Sequence, residues 1–452
     1  MQTLMKQKIT IADCVSFFTI FAYIVFGNAL TFNLGQRFPV KLQELISIIA
    51  IIYLLKKVDL SFGTRSVFSG IVGWVIWGWI SSIIVSPIYS YTISEIIYGW
   101  LYGGRILHLL LLTSLLSRYL IKKKRYSVKE LSNFISNCFV VVELIGIIQL
   151  LLFPIAYDWY DLFYGIGVYF PNPDPHVNRL ISTYFDPNFL SSILVIPFTI
   201  ELYKVIFEEK KSLFSIIKLL LTVIVVFLTS SRSGLLGCVI ASGLMLLMYI
   251  HRNRFRRWIF IFFAVILVAI PIILSSNIRV IDRILNFMTD PSAQARFKSW
   301  RESFEIILKN LLFGIGYNML GAYRMAQDGQ LSSSTGYGVD SSILMIVITT
   351  GIVGLIAFVL FIMKIIKQKD PANSSIASLN KVIIISSLTI CFFNNLLFYV
   401  LWLFPFLLMI KFCEDEKSLA KEAKNGNVIF TSNVICKEQR HCKIECKFVK
   451  KI

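Results

Sequence analysis

Apolar blocks of about 16–25 residues recur along this chain, the length that crosses a bilayer core of roughly 30 Å as a helix. Inside hydrocarbon every backbone N–H and C=O needs an internal partner, so such blocks fold as helices. Composition agrees. Of 452 residues 56% are apolar and only 16% charged, whereas soluble domains are about a quarter charged. The pattern predicts an all-α polytopic membrane protein with about twelve spans. They fall near 10–32, 41–55, 67–86, 95–117, 131–155, 187–206, 212–229, 233–250, 258–275, 341–364, 381–395 and 396–411.

A net charge of +19 would suit nucleic acid, but its placement does not. Lys and Arg crowd every second connection: "KKVDLSFGTR", "SRYLIKKKRYSVKE", "KVIFEEKKSLFSIIK", "HRNRFRR" and "KIIKQKDPANSSIASLNK". That is the bias of cytoplasmic loops. It puts both termini inside, in the cell (cytoplasmic or inner) membrane, with no nucleic-acid partner. The leading "MQTLMKQK" meets no small-residue cleavage site, so the first span reads as retained. The last apolar run is flanked by Lys381 and Lys411 and interrupted by "FFNN". Two short helices, with Asn394 and Asn395 at the outer turn, keep both lysines inside. A single tilted helix would put the tail outside. The expected division is a membrane domain over 1–411 and a basic tail over 412–452.

Two outer loops are long, at about 156–186 and 276–340, the second between the ninth and tenth spans. Loops of that length are usually functional, which locates any chemistry on the outer face. Single cysteines test this orientation. Ser332→Cys should react with an impermeant thiol reagent in intact cells and Ser374→Cys should not; the opposite result inverts the topology.

The turn in "LTSSRSGLLG" carries Arg232 and no carboxylate. Positive charge at a helix N-terminus opposes the helix dipole. With neighbouring serine hydroxyls and open N–H groups it makes an anion site; snorkelling to the interface is the structural alternative. In "SAQARFKSWRESFEIILKN", Phe297, Trp300, Phe304, Ile307 and Leu308 recur at helical spacing, which predicts an amphipathic helix on the membrane or bundle. Lys298 has Glu302 and Arg301 has Glu305 four residues on. Arg296 has no carboxylate three or four positions away, which makes it the free guanidinium. Arg179 is the only Lys or Arg in the first long loop. It either pairs with Asp186 or binds ligand. Asp340, before "SSILMIVITTGIVG", is either a helix cap or a general base. Arg105 and Glu143, both within spans, are a plausible structural pair. The eight cysteines are scattered and read as small apolar residues. The tail "CKEQRHCKIEC" lacks a CxxC pair, so no metal site is expected.

The ordered set "RLISTYFDPNFLS", "LTSSRSGLLG", "ARFKSWRESFEIILKNLLFGIGYN" and "DSSILMIVITTGIVGLIAF" resembles the O-antigen ligase and polymerase superfamily over about residues 130–365. The resemblance implies a GT-C-like fold and a metal-independent, inverting glycosyltransferase without cofactors. Its substrate would be a glycan on undecaprenyl pyrophosphate, and membrane lipids, a chain-length regulator and a flippase would be its partners. By match of motif, Arg179, Arg232 and Arg296 fall on the family's functional arginines. Asp340 stands where the ligases carry histidine, eleven residues before Gly351. That departure favours a Wzy-type polymerase of capsule, exopolysaccharide or O-antigen repeats over a ligase. The rival outside catalysis is a lipid-linked glycan flippase or transporter. Transporters of this size usually show repeated halves and mid-membrane charges, and no repeat is visible here.

Overall fold

The computed structural model describes residues 9–34, 38–58, 68–164, 176–208, 212–252, 291–328, 338–366 and 375–424. Among the described residues there are fourteen α-helices and one antiparallel hairpin. In chain order these are α1 (Ile11–Val25), β1 (Thr31–Leu34), β2 (Phe38–Lys41), α2 (Leu42–Leu55), α3 (Ser69–Tyr89), α4 (Ile93–Ser117), α5 (Val128–Leu152), α6 (Ala156–Tyr164) and α7 (Pro187–Phe207). Then follow α8 (Leu213–Leu228), α9 (Arg232–Arg252), α10 (Pro291–Lys309), α11 (Leu320–Asp328), α12 (Ser342–Ile366), α13 (Ser375–Ile390) and α14 (Val400–Lys424). Six helices are long and apolar enough to cross a membrane: α3, α4 with its continuation to Lys123, α5, α7, α9 and α12. Shorter apolar helices are α1, α2, α8 and the Leu379–Ile390 part of α13. The span expected at 258–275 and the Cys/His segment at 436–446 lie outside the described residues.

Local chemistry sets several helix starts. Thr92 with Glu95 and Ser127 with Glu130 form capping boxes at the heads of α4 and α5. The first span is shorter than the expected 10–32. α1 stops at Val25, and the chain enters the hairpin, held by the Asn28 amide on the Thr183 carbonyl at 2.7 Å. At the other end α13 and α14 are separate helices flanking the "FFNN" turn. α14 runs on past residue 411, with Phe412, Cys413 and Asp415 buried.

α7 is apolar on all sides, the pattern of an enclosed helix. It is 89% buried over its most apolar window and is wrapped by α5, α8, α9 and α13. α14 lies against α4, α5 and α7, while α3 packs on α4 and α12. The expected Arg105–Glu143 pair does not form. Arg105 Nε lies 3.0 Å from Glu44 Oε1, and Glu143 accepts from Thr222 Oγ1 at 2.6 Å. Packing decides this, because α4 contacts α2 and α5 contacts α8. Glu44 also sits in the first turn of α2, where the helix dipole favours a carboxylate.

Residues 311–317, in the long segment before α12, pack between helices. α12 is broken at Gly351, with φ 65 and ψ −167. The break frees the Ile348 and Thr349 carbonyls, which accept from the Ile315 and Gly316 amides at 2.8 and 3.1 Å. The Ile352 amide in turn donates to the Leu311 carbonyl at 2.9 Å. On the opposite side, α3 closes the remaining bonds. Ser82 Oγ accepts from the Tyr317 amide at 2.8 Å, and the Ser81 hydroxyl donates to the Phe313 carbonyl. Residues 311–317 thus form a wedge between α3 and α12. Irregular backbone survives at such a place only when protein satisfies its polar groups.

Candidate functional site

Three helix N-termini meet at one end of the bundle. Asp186 caps α7, its Oδ1 accepting from the Asn188 and Phe189 amides at 2.6 and 2.9 Å. α9 begins at Arg232, after Ser230 turns the chain through φ 51. Gly234 lets α9 lie against α7; a Cβ there would fall 2.4 Å from Ser191 Cβ. α12 is capped by Ser341, whose Oγ accepts from the Leu344 amide at 3.3 Å.

Asn394 fastens these ends together. Its side-chain amide donates to Ser192 Oγ and Ser233 Oγ, both at 2.8 Å, and reaches the Asn188 carbonyl at 3.4 Å. Its own carbonyl accepts from the Ser342 hydroxyl at 2.9 Å. The residue is 5% exposed. Sequence reasoning assigned Asn394 only to a turn. The signal for more was present, since two adjacent asparagines in an apolar run are costly unless bonded.

The candidate residues distribute as follows. Arg179 donates from Nε to the Thr229 carbonyl at 2.9 Å and from Nη2 to Asn188 Oδ1 at 3.2 Å. It therefore touches both the end of α8 and the start of α7. Arg232 is half-buried beside Ser231 and Ser233, whose hydroxyls lie 3.1 Å apart. It has contacts of its own, so it is not a bare cation. Arg296 is not the free guanidinium its helix neighbours suggest. Its Nε stands 3.5 Å from Asp340 Oδ2, a partner 44 residues along the chain that helical spacing cannot reveal.

Asp340 in turn is not a cap, because Ser341 takes that role. Its side chain is 55% exposed and that of Arg296 17%. The surrounding protein raises the Asp340 carboxyl above its ordinary value. The Arg296 guanidinium pulls it back and the Asp186 carboxylate raises it again, leaving it raised.

α10 matches the helix expected at 292–310; of the expected stripe Trp300 and Ile307 pack on the bundle, while Phe297, Phe304 and Leu308 are exposed. Trp300 lies over Phe393 of the "FFNN" turn, with ring centroids 6.2 Å apart. One turn on from Arg296 on α10, Trp300 Nε1 is buried and makes no hydrogen bond among the described residues. Unsatisfied buried donors are rare, and this one, on the helix face that carries the Arg296–Asp340 pair, is what an oxygen-rich ligand would satisfy. Arg301 pairs with Glu305 at 3.7 Å on the exposed side. Glu302 turns away from Lys298 to Arg324 of α11, at 3.4 Å.

Residues 217–359 match the family described as O-antigen ligase. That stretch contains Arg232, Arg296, Asp340 and Gly351; Arg179 precedes it. None of the curated proteins compared with the chain matches it.

Proposed function

We propose, from the match of residues 217–359 to the O-antigen ligase family, that the chain is an inverting glycosyltransferase that extends glycans on undecaprenyl pyrophosphate at the outer face of the membrane. The fuller reading comprises about twelve spans in a GT-C-like arrangement, both termini inside, and the outer loop over 276–340 carrying the chemistry.

The observation that carries this reading is the pairing of Arg296 with Asp340 at the end of the bundle where α7, α9 and α12 begin. A carboxylate with a raised proton affinity suits a general base. Asp340 accepts the proton of the attacking sugar hydroxyl. The hydroxyl oxygen bonds to the anomeric carbon from the face opposite the leaving group. The bond from that carbon to the pyrophosphate oxygen breaks, and undecaprenyl pyrophosphate departs with the electron pair. Arg179, Arg232 and Arg296 are the groups to hold that anion, because guanidinium binds phosphate oxygens at two points and stays charged.

The family description favours a second reading, a ligase moving a finished glycan to another acceptor. Asp340 in place of histidine supports the polymerase instead. The lipid-linked glycan that accumulates when Arg232 is replaced by lysine separates them. Lysine snorkels as well as arginine but cannot make the fork-shaped contact. A polymerase accumulates outward-facing single repeat units in Arg232→Lys and a ligase accumulates finished polymer. Inward-facing units would indicate a flippase. Polymer of normal length and amount in Arg232→Lys overturns the two-point role of this arginine.

A further inference from the structure

Lys41 ends the outer hairpin and is 8% exposed. A buried ammonium is costly unless bonded, and among the described residues its side chain makes one hydrogen bond, to Asn28 Oδ1 at 2.5 Å. Its nearest charges are Glu44, which accepts from the Lys41 backbone amide at 3.0 Å, and Arg105, which shares that carboxylate. Asn28 passes the contact on. Its Nδ2 donates to the Tyr184 carbonyl at 2.8 Å and to the Tyr399 hydroxyl at 3.1 Å. The orientation of this carboxamide is settled by its partners. A carbonyl only accepts and an ammonium only donates, so NH2 must face Tyr184 and oxygen must face Lys41.

The chain of donors therefore runs one way, from Lys41 through Asn28 to Tyr399. Because the Tyr399 oxygen accepts from Asn28, its own proton points elsewhere, and it donates to none of the described residues. The ring lies on Phe189, with centroids 4.2 Å apart, in the first turn of α7. Phe189 follows Asn188, the partner of Arg179, in that turn. Asp186 is close in charge terms, yet its Oδ1 is occupied by two backbone amides. Bonds in a one-way chain polarise each other, and a cation at the head makes the last O–H a stronger donor.

We propose that the Tyr399 hydroxyl, polarised by Lys41 through Asn28, donates a hydrogen bond to a phosphoryl oxygen of the isoprenyl pyrophosphate bound at the head of α7. This rests on the proposed function for the identity of the ligand. Tyr399 touches the ligand; Lys41 and Asn28 are positioning residues.

The test uses the full chain in phosphatidylcholine nanodiscs, with farnesyl pyrophosphate as the probe and binding read by phosphorus NMR. Tyr399→Phe keeps the ring on Phe189 and removes only the hydroxyl. Lys41→Met keeps the stem and removes only the charge. Each should weaken binding about tenfold, as expected for one hydrogen bond to a charged group. The double variant should be no weaker than the worse single one, because both act on the same bond. Losses that add would mean two unrelated structural effects and overturn the relay. So would wild-type affinity in Tyr399→Phe. Phosphatidylglycerol added to the discs should not compete; competition would make the ligand an ordinary lipid headgroup and overturn the pyrophosphate assignment. A wild-type protein that binds no farnesyl pyrophosphate would count against the proposed function, and the relay with it. Normal wild-type binding with unaffected variants would overturn the relay alone.

Discussion

Arg296→Ala is expected to abolish glycan extension while the protein stays in the membrane at its normal level. Two effects combine. Loss of one donor that stabilises charge developing on a leaving group costs about 10²–10³ in rate. The same change also strips Asp340 of the cation 3.5 Å away that pulls its carboxyl down. The sign follows directly. Asp340 acts as a base only when deprotonated, so the rate falls as pH drops through its raised value. Without Arg296 that value rises further, and the acid limb of the residual activity moves to higher pH. Asp340→Asn should be inactive at every pH. Arg301→Ala is the control. Its side chain is 85% exposed beside Glu305, and an exposed pair contributes roughly 0–1 kcal/mol. Equal loss of activity in Arg296→Ala and Arg301→Ala, at equal protein level, would sink the assignment. So would an acid limb that stays in place.

Gly351→Ala should prevent stable accumulation of the protein. At φ 65 and ψ −167 the backbone occupies a region open essentially to glycine alone, at a cost of about 1–3 kcal/mol for other residues. The larger penalty is steric. A Cβ would lie 2.1 Å from the Leu312 carbonyl oxygen, so the wedge would have to withdraw. The amides of Ile315, Gly316 and Ile352 would then lose their partners, as would the carbonyls they bond. Gly73→Ala on α3, where an added Cβ meets nothing within 4 Å, should accumulate normally. Membrane protein levels and protease resistance measure both variants. Wild-type levels of Gly351→Ala would mean that the wedge is not seated as described.

Much of the helical frame is legible in the sequence because apolar length and periodicity are local properties. α5 shows it, expected at 131–155 and found over Val128–Leu152, and so does α10, whose helical spacing predicts a helix where Pro291–Lys309 forms one. What escapes is decided between elements. Arg296 looks free because its own helix offers no carboxylate, yet the fold brings Asp340 to it. Asp340 resembles a cap, but the adjacent Ser341 hydroxyl takes the amide and leaves the carboxylate available. Glu143 is an attractive partner for Arg105 until the packing of α4 on α2 supplies Glu44. Asn394 reads as a turn residue, although its side-chain amide ties α7 to α9 and its backbone carbonyl holds α12. A charge or an amide in a sequence states a need; only the neighbours show who meets it.

The wedge has a consequence for how such a chain can be altered. Residues 311–317 complete the hydrogen bonding of α12 and lean on serines of α3, so the outer segment carrying Arg296 is not an interchangeable module. Transplanting α10 and α11 onto another chain without the matching faces of α3 and α12 would leave both host and graft with unpaired backbone groups. Exchange of specificity between such proteins should therefore succeed only when all three pieces travel together.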